Sequence, residues 1–262
     1  MKSLFAKRLA LTVAAGLLPA SIAETERAVA DPVEVSVLTS VALTSALDEL
    51  APQYERASGN KLKIGYSLIA DIKKRVIAGE TADVIMLSRP AMDDLARQDK
   101  FAPGSVINIV GTPVAVAARA GAAKPDISSA DALKRSLLAA KSIVYADPAK
   151  GGASGVYFAS VIDKLGIAEQ LKSKTILVPG AQAADVVARG EAEIGVAQAS
   201  EIVPVAGAQL VGPLPGEYGS VTLFTAGIGA GTRAPEAARS LIEFLTGPAA
   251  APLFKSKGFQ PG

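Results

Sequence analysis

Short apolar runs alternate with amphipathic stretches along most of the chain. Residues 33–38, where Val33, Val35 and Val37 are interleaved with Glu34 and Ser36, read as a strand. Residues 46–57 follow with apolar positions three and four apart, Leu47, Leu50 and Tyr54 among them, and read as a helix. A strand over 61–66, a helix over 71–79 with Gly79 as its C-cap, a buried strand over 82–87 and a helix over 92–98 complete a βαβαβ series. That order predicts a mostly parallel sheet covered by helices.

A second series starts after Thr112-Pro113. It has strands at 114–118, 142–145, 175–178 and 194–197, and helices ending at Ala140, over 156–165 and over 181–189. Ser129 or Asp131 caps the first of these helices. A third block adds a strand at 221–228, a helix over 235–245 broken by Gly247-Pro248, and a short last helix over 249–257.

The start of the chain has a different pattern. Lys2, Lys7 and Arg8 precede a short apolar run from Leu9 to Leu18, and Ala20-Ser21-Ile22-Ala23 supplies small residues for cleavage, with Ala28-Val29-Ala30 as a second choice. This is the order of a secretory signal over residues 1–23, and the run is too short for a membrane span. Export to the periplasm is expected, with no membrane insertion after the signal is removed.

Composition narrows the chemistry. The chain has no Cys and no His, which removes disulfides, thiolate nucleophiles, imidazole acid–base catalysis and the common metal sites. No metal or cofactor is expected. Without Lys2, Lys7 and Arg8, 24 basic groups stand against 25 acidic ones, so nothing points to nucleic acid.

Ligands of open α/β sheets bind beyond the carboxyl ends of strands. Four loops qualify, and they hold Thr39-Ser40, Ser88-Arg89, the stretch from Lys150 to Ser154, and Gln198 to Glu201. Ser40, Ser154 and the amides around Gly151, Gly152 and Gly155 suit an anion, as helix starts do. Arg89 suits a carboxylate or a surface ion pair, and Lys150 an anion contact. Tyr157 reaches a ligand or serves packing. Gln198 is polar at a strand end, and Glu201 is a general base or a helix cap.

Five blocks resemble the periplasmic molybdate-binding family, of the type 2 periplasmic solute-binding fold. They are Val35-Ser36-Val37 running into Ala42-Leu43-Thr44-Ser45-Ala46-Leu47; Ile77-Ala78-Gly79-Glu80-Thr81-Ala82-Asp83-Val84; Ala146-Asp147-Pro148 with Ser154-Gly155-Val156-Tyr157; Ala188-Arg189-Gly190-Glu191-Ala192-Glu193-Ile194-Gly195; and Leu245-Thr246-Gly247-Pro248-Ala249-Ala250 leading to Lys257-Gly258-Phe259. The resemblance implies an α/β protein of two lobes, residues 31–111 plus 221–262 and residues 112–220. They would close by a hinge on a ligand in the cleft between them. Against the family's ligand set, Ala42 replaces a serine, the stretch 68–70 lacks another, Gln198 stands near a tyrosine position, and Ser154 replaces an alanine.

Two functions follow from the resemblance. One is the substrate-binding component of an ABC transporter for an organic anion or a molybdate- or tungstate-type oxyanion, with an ABC permease as partner. The other is a cofactor-independent isomerase of that family's aconitate isomerase branch, acting on a small polycarboxylate. In the second, Glu201, Tyr157 and Lys150 are the catalytic candidates, and Ser40, Arg89, Ser154 and Gln198 the ligand-binding ones. A monomer is expected in either case.

Overall fold

The computed structural model describes residues Pro32–Gly262, and the candidate signal over residues 1–23 lies outside the described residues. In chain order the first part runs β1 (Glu34–Ser40), α1 (Thr44–Ser58), β2 (Lys61–Ser67), α2 (Ile69–Ile77), β3 (Val84–Ser88) and α3 (Arg89–Ala96). A long strand, β4 (Ile107–Arg119), leads into α4 (Ala130–Ala139), β5 (Ile143–Ala146), α5 (Ala153–Lys164), α6 (Ala168–Lys172) and β6 (Thr175–Val178). Then come α7 (Ala183–Ala188), β7 (Ile194–Gln198), α8 (Ala199–Ile202) and β8 (Ala208–Pro213). The chain returns through β9 (Val221–Ile228), α9 (Pro235–Thr246), α10 (Ala251–Ser256) and β10 (Gln260–Pro261).

Period-two alternation places the helices. On β3, Val84 and Met86 join Val35 and Val37 of β1 in a core closed by Leu47, Leu50 and Tyr54 of α1 and Leu241 and Leu245 of α9. Ile85 and Leu87 face the other way, onto Ile72 and Val76 of α2 and Met92 and Leu95 of α3. Further on, Val114 and Val116 of β4 pack with Leu133, Leu137 and Phe158. Ala115 and Ala117 pack with Ala183, Ala184 and Val187 of α7. Each sheet region is thus apolar on both faces and must be covered twice, which is the two-lobed α/β architecture. Each fully buried Leu, Ile or Val contributes about 1.5–3 kcal/mol of burial energy.

The parallel pairs are β2-β1-β3 and β6-β5-β7. The pairs that connect them are antiparallel, so the sheet is mixed. β9 pairs antiparallel with β3 and with β4, and β4 pairs antiparallel with β7, β8 and β10. β4 is therefore shared. Thr112 and Pro113 pair with Thr222 and Val221 on β9, while Val114 already pairs with Gln198 on β7. The sequence predicts a strand beginning only after Pro113; the structure carries it through, with Pro113 at the last register position against β9.

Candidate functional site

Five strand ends converge on one narrow cavity. β1 ends at Ser40, whose Oγ accepts the Ala42 N–H at 3.3 Å and starts the 3₁₀ turn Val41–Leu43. β2 gives way to Leu68, and α2 begins with no side-chain cap. From the other lobe, β5 ends at Ala146 and β7 at Gln198, and Gly180 and Ala181 follow β6. The cavity measures about 20 Å³, little more than the space of one water molecule.

Glycine brings the α5 start this close. A Cβ on Gly155 would lie 2.0 Å from the Ala146 carbonyl oxygen, so only a bare Cα lets the helix seat on the end of β5. Gly151 has φ +75°, and a Cβ there would lie 2.5 Å from the Ala70 Cβ on α2. The glycine loop thus touches the first turn of α2 across the cleft. The helix over 156–165 expected from the sequence begins three residues earlier, which puts Ser154 in its first turn.

Ser40, Ser154 and Gln198 are almost wholly buried, at 3%, 4% and 2% exposure, and each lines the cavity. Gln198 Nε2 donates to Thr222 Oγ1 at 3.0 Å, which fixes the amide's orientation. Its Oε1 lies over the first turn of α8, where the Glu201 N–H approaches without closing a full hydrogen bond. The Gln198 backbone N–H donates to Glu201 Oε2 at 3.2 Å. The neighbouring Ser200 N–H donates to Thr112 Oγ1 at 3.2 Å. Thr112 and Thr222, paired on β4 and β9, therefore hold the turn that carries Gln198 and Glu201.

Glu201 is the only titratable side chain lining the cavity among the described residues. Burial pushes its carboxyl up to about 7, against the smaller opposing effect of the Gln198 N–H. The site thus combines hydroxyls, main-chain amides at helix starts and one carboxyl that titrates near neutrality.

The structure brings Ser40, Ser154, Gln198 and Glu201 together and sets the other three sequence-predicted residues outside the cavity lining. Arg89 opens α3, where its Nε donates to Asp93 at 2.8 Å and its Nη1 to Asn108 Oδ1 at 3.1 Å, with 46% of the side chain exposed. That is the surface ion pair its sequence position also allowed. Lys150 is exposed in the turn Pro148–Lys150, where the main chain of the glycine loop, not this side chain, approaches the cavity. Tyr157 is half-buried, and its hydroxyl donates to the Tyr218 carbonyl at 3.1 Å, a packing role. Sequence reasoning missed the apolar and backbone part of the lining, Leu68, Ile69, Gly180 and Ala181. All follow strand ends, which was the available signal. Among the described residues no cluster of three carboxylates could hold a metal, and no helix is long and apolar enough to cross a membrane.

A two-lobed α/β fold with strand ends and helix starts around a central cavity is the architecture of the solute-binding proteins. The chain belongs to the bacterial extracellular solute-binding protein family, which it matches over residues 35–260. It is 34% identical over 257 residues to an aconitate isomerase of Pseudomonas sp, covering 95% of this chain and 96% of that protein. It is 24% identical over 242 residues to the molybdate-binding protein ModA of Escherichia coli (strain K12), covering 91% and 93%. Among solved structures, the periplasmic molybdate-binding protein of Azotobacter vinelandii matches with a TM-score of 0.73 at 20% identity, over 87% of this chain and 99% of that one.

Proposed function

We propose that this protein is a periplasmic isomerase that interconverts trans- and cis-aconitate, with Glu201 as the proton carrier. The carrying observation is one carboxyl, raised to about 7, facing a cavity otherwise lined by donors and apolar groups. The likeness to an aconitate isomerase over nearly the whole chain supports the choice of substrate.

The chemistry balances without a cofactor. Ionised Glu201 removes a proton from the substrate's allylic methylene. The C–H pair becomes the new double bond, and the old double bond's pair takes the same proton back at the former vinyl carbon. In between, negative charge spreads over a dienolate, which the Ser40 and Ser154 hydroxyls and the amides at the α5 start would stabilise. A base titrating near 7 suits both halves of such a transfer.

A cavity of about 20 Å³ admits a tricarboxylate only when the lobes part. In this reading the lobes are residues 31–111 plus 221–262 and residues 112–220. Their hinge runs through Thr112-Pro113 and the segment before Val221, and residues 1–23 direct export. The test is to incubate the purified protein with trans-aconitate and follow the cis isomer. Turnover is expected, with a loss of about a hundredfold or more in Glu201→Gln; no turnover by the wild-type protein ends the proposal. Family membership favours one alternative, the binding component of a transporter with a permease partner. It would show as a ligand-induced rise in Tm with no product.

A further inference from the structure

The polar groups around the cavity are unequal in kind. Ser40 and Ser154 offer hydroxyls, and the main chain at Ala153 and Ser154, in the uncapped first turn of α5, offers N–H groups. No Lys or Arg side chain lines it among the described residues. Glu201, a half-buried residue, lines the same cavity with its carboxyl. An ionised carboxylate only accepts hydrogen bonds, and so does a fully ionised oxyanion such as sulfate or molybdate. Two such groups in a desolvated space of about 20 Å³ repel, and neither has a proton to offer the other.

We propose that Glu201 is a specificity-determining residue that bars fully ionised inorganic oxyanions from the cleft and admits them only together with a proton. An organic acid escapes the bar, because it can turn a C–H bond toward the carboxylate and its own carboxylates toward the donors. The proposal goes beyond the isomerase reading and stands without it.

Among the described residues, no titratable group on the elements packed around Glu201 competes for this role. The turn Val41–Leu43 and strands β7 and β8 carry no titratable side chain. The one on β4, Arg119, lies at the far end of that strand, with its Nη1 3.1 Å from the position of a Cβ on Gly190. On α1, which reaches α8 through Ser45 Oγ and the Ser200 carbonyl, Glu49 pairs with Lys257 and Asp48 accepts the Tyr66 hydroxyl at 2.8 Å.

The test is calorimetric titration of sodium sulfate and sodium molybdate into wild-type protein and Glu201→Gln at pH 6.5, 7.5 and 8.5. Wild-type affinity should fall about twentyfold from pH 6.5 to 8.5, as expected when one group titrating near 7 must carry the proton. Glu201→Gln should bind at least about tenfold more tightly than wild type at pH 8.5, with little pH dependence. The proposal is overturned if wild-type affinity is the same at pH 6.5 and 8.5, if the variant is no tighter than wild type at pH 8.5, or if neither protein binds either anion at any pH. Circular dichroism checks that the variant folds, and the wild-type series decides alone if it does not. Aconitate plays no part in these readouts, so this proposal and the isomerase reading fail separately.

Discussion

Replacing Glu201 by Gln should stabilise the protein above neutral pH and leave it unchanged in acid. The carboxyl titrates at about 7 in the fold and at about 4.5 when exposed in the unfolded chain. A raised folded value means that the neutral form is favoured by folding. The contribution is complete below pH 4.5, fades as pH rises, and is gone above 7, where the fold must hold a desolvated charge. At about 1.4 kcal/mol per tenfold, the full difference is about 3 kcal/mol. Contact with water through the cleft lowers the part that is realised, so a gain of about 1–3 kcal/mol is expected at pH 8.5. For a domain of this size that is a rise of roughly 3–10 °C in Tm. The glutamine oxygen still accepts the Gln198 N–H, so the local turn keeps its bond. Thermal unfolding of both proteins, dialysed free of anions, at pH 5 and pH 8.5 reads the effect directly. A gap in Tm of equal size at both values, or a variant less stable than wild type at pH 8.5, would show that burial does not hold this proton and would remove the physical basis for a base at Glu201.

Two further substitutions probe how the site is held. Gly155→Ala puts a methyl group 2.0 Å from the Ala146 carbonyl and must lift α5 off β5; urea unfolding should show a loss of about 1–3 kcal/mol, and the ligand-induced rise in Tm should shrink. Asp83 ties β1 to the segment before α9. Burial alone would raise its pKa, but the Ser36 hydroxyl and N–H, the Thr232 hydroxyl at 2.6 Å and the Arg233 N–H together hold it below 3.8. That contribution is present above pH 3.8 and lost as pH falls through the folded value, so Asp83→Asn should lower Tm at pH 7 and approach wild type only as pH falls below 3.8 through that value.

The alternation of residues carried most of the fold. Val84 and Met86 against Ile85 and Leu87 is a pattern only a strand covered on both faces can use, and the structure uses it so. What escaped was weakly patterned. β8 is a half-buried run ending in Pro213, and α6 is a single turn or so, too short to show a face. A proline reads as a break in a strand, whereas Pro113 ends the pairing with β9 and Val114 begins the pairing with β7.

The site was legible in its positions and less so in its chemistry. The strand-end rule located Ser40, Ser154, Gln198 and Glu201, since it depends only on where strands stop. It does not say which way a long side chain turns, and Arg89 turned to the Asp93 carboxylate four residues on, a pairing already written in the helix spacing. The cationic groups expected to hold an anion are replaced by main-chain N–H groups, which every residue but proline carries and no composition reveals. What a sequence does show is the room they need, and Ala42, Gly152, Ala153, Gly180 and Ala181 supply it by being small. Amides at helix starts keep their polarity at every pH, so among the described residues the only group in this lining that can change charge is Glu201. On the proposed reading, proton supply, more than any fixed countercharge, sets what the cleft will hold.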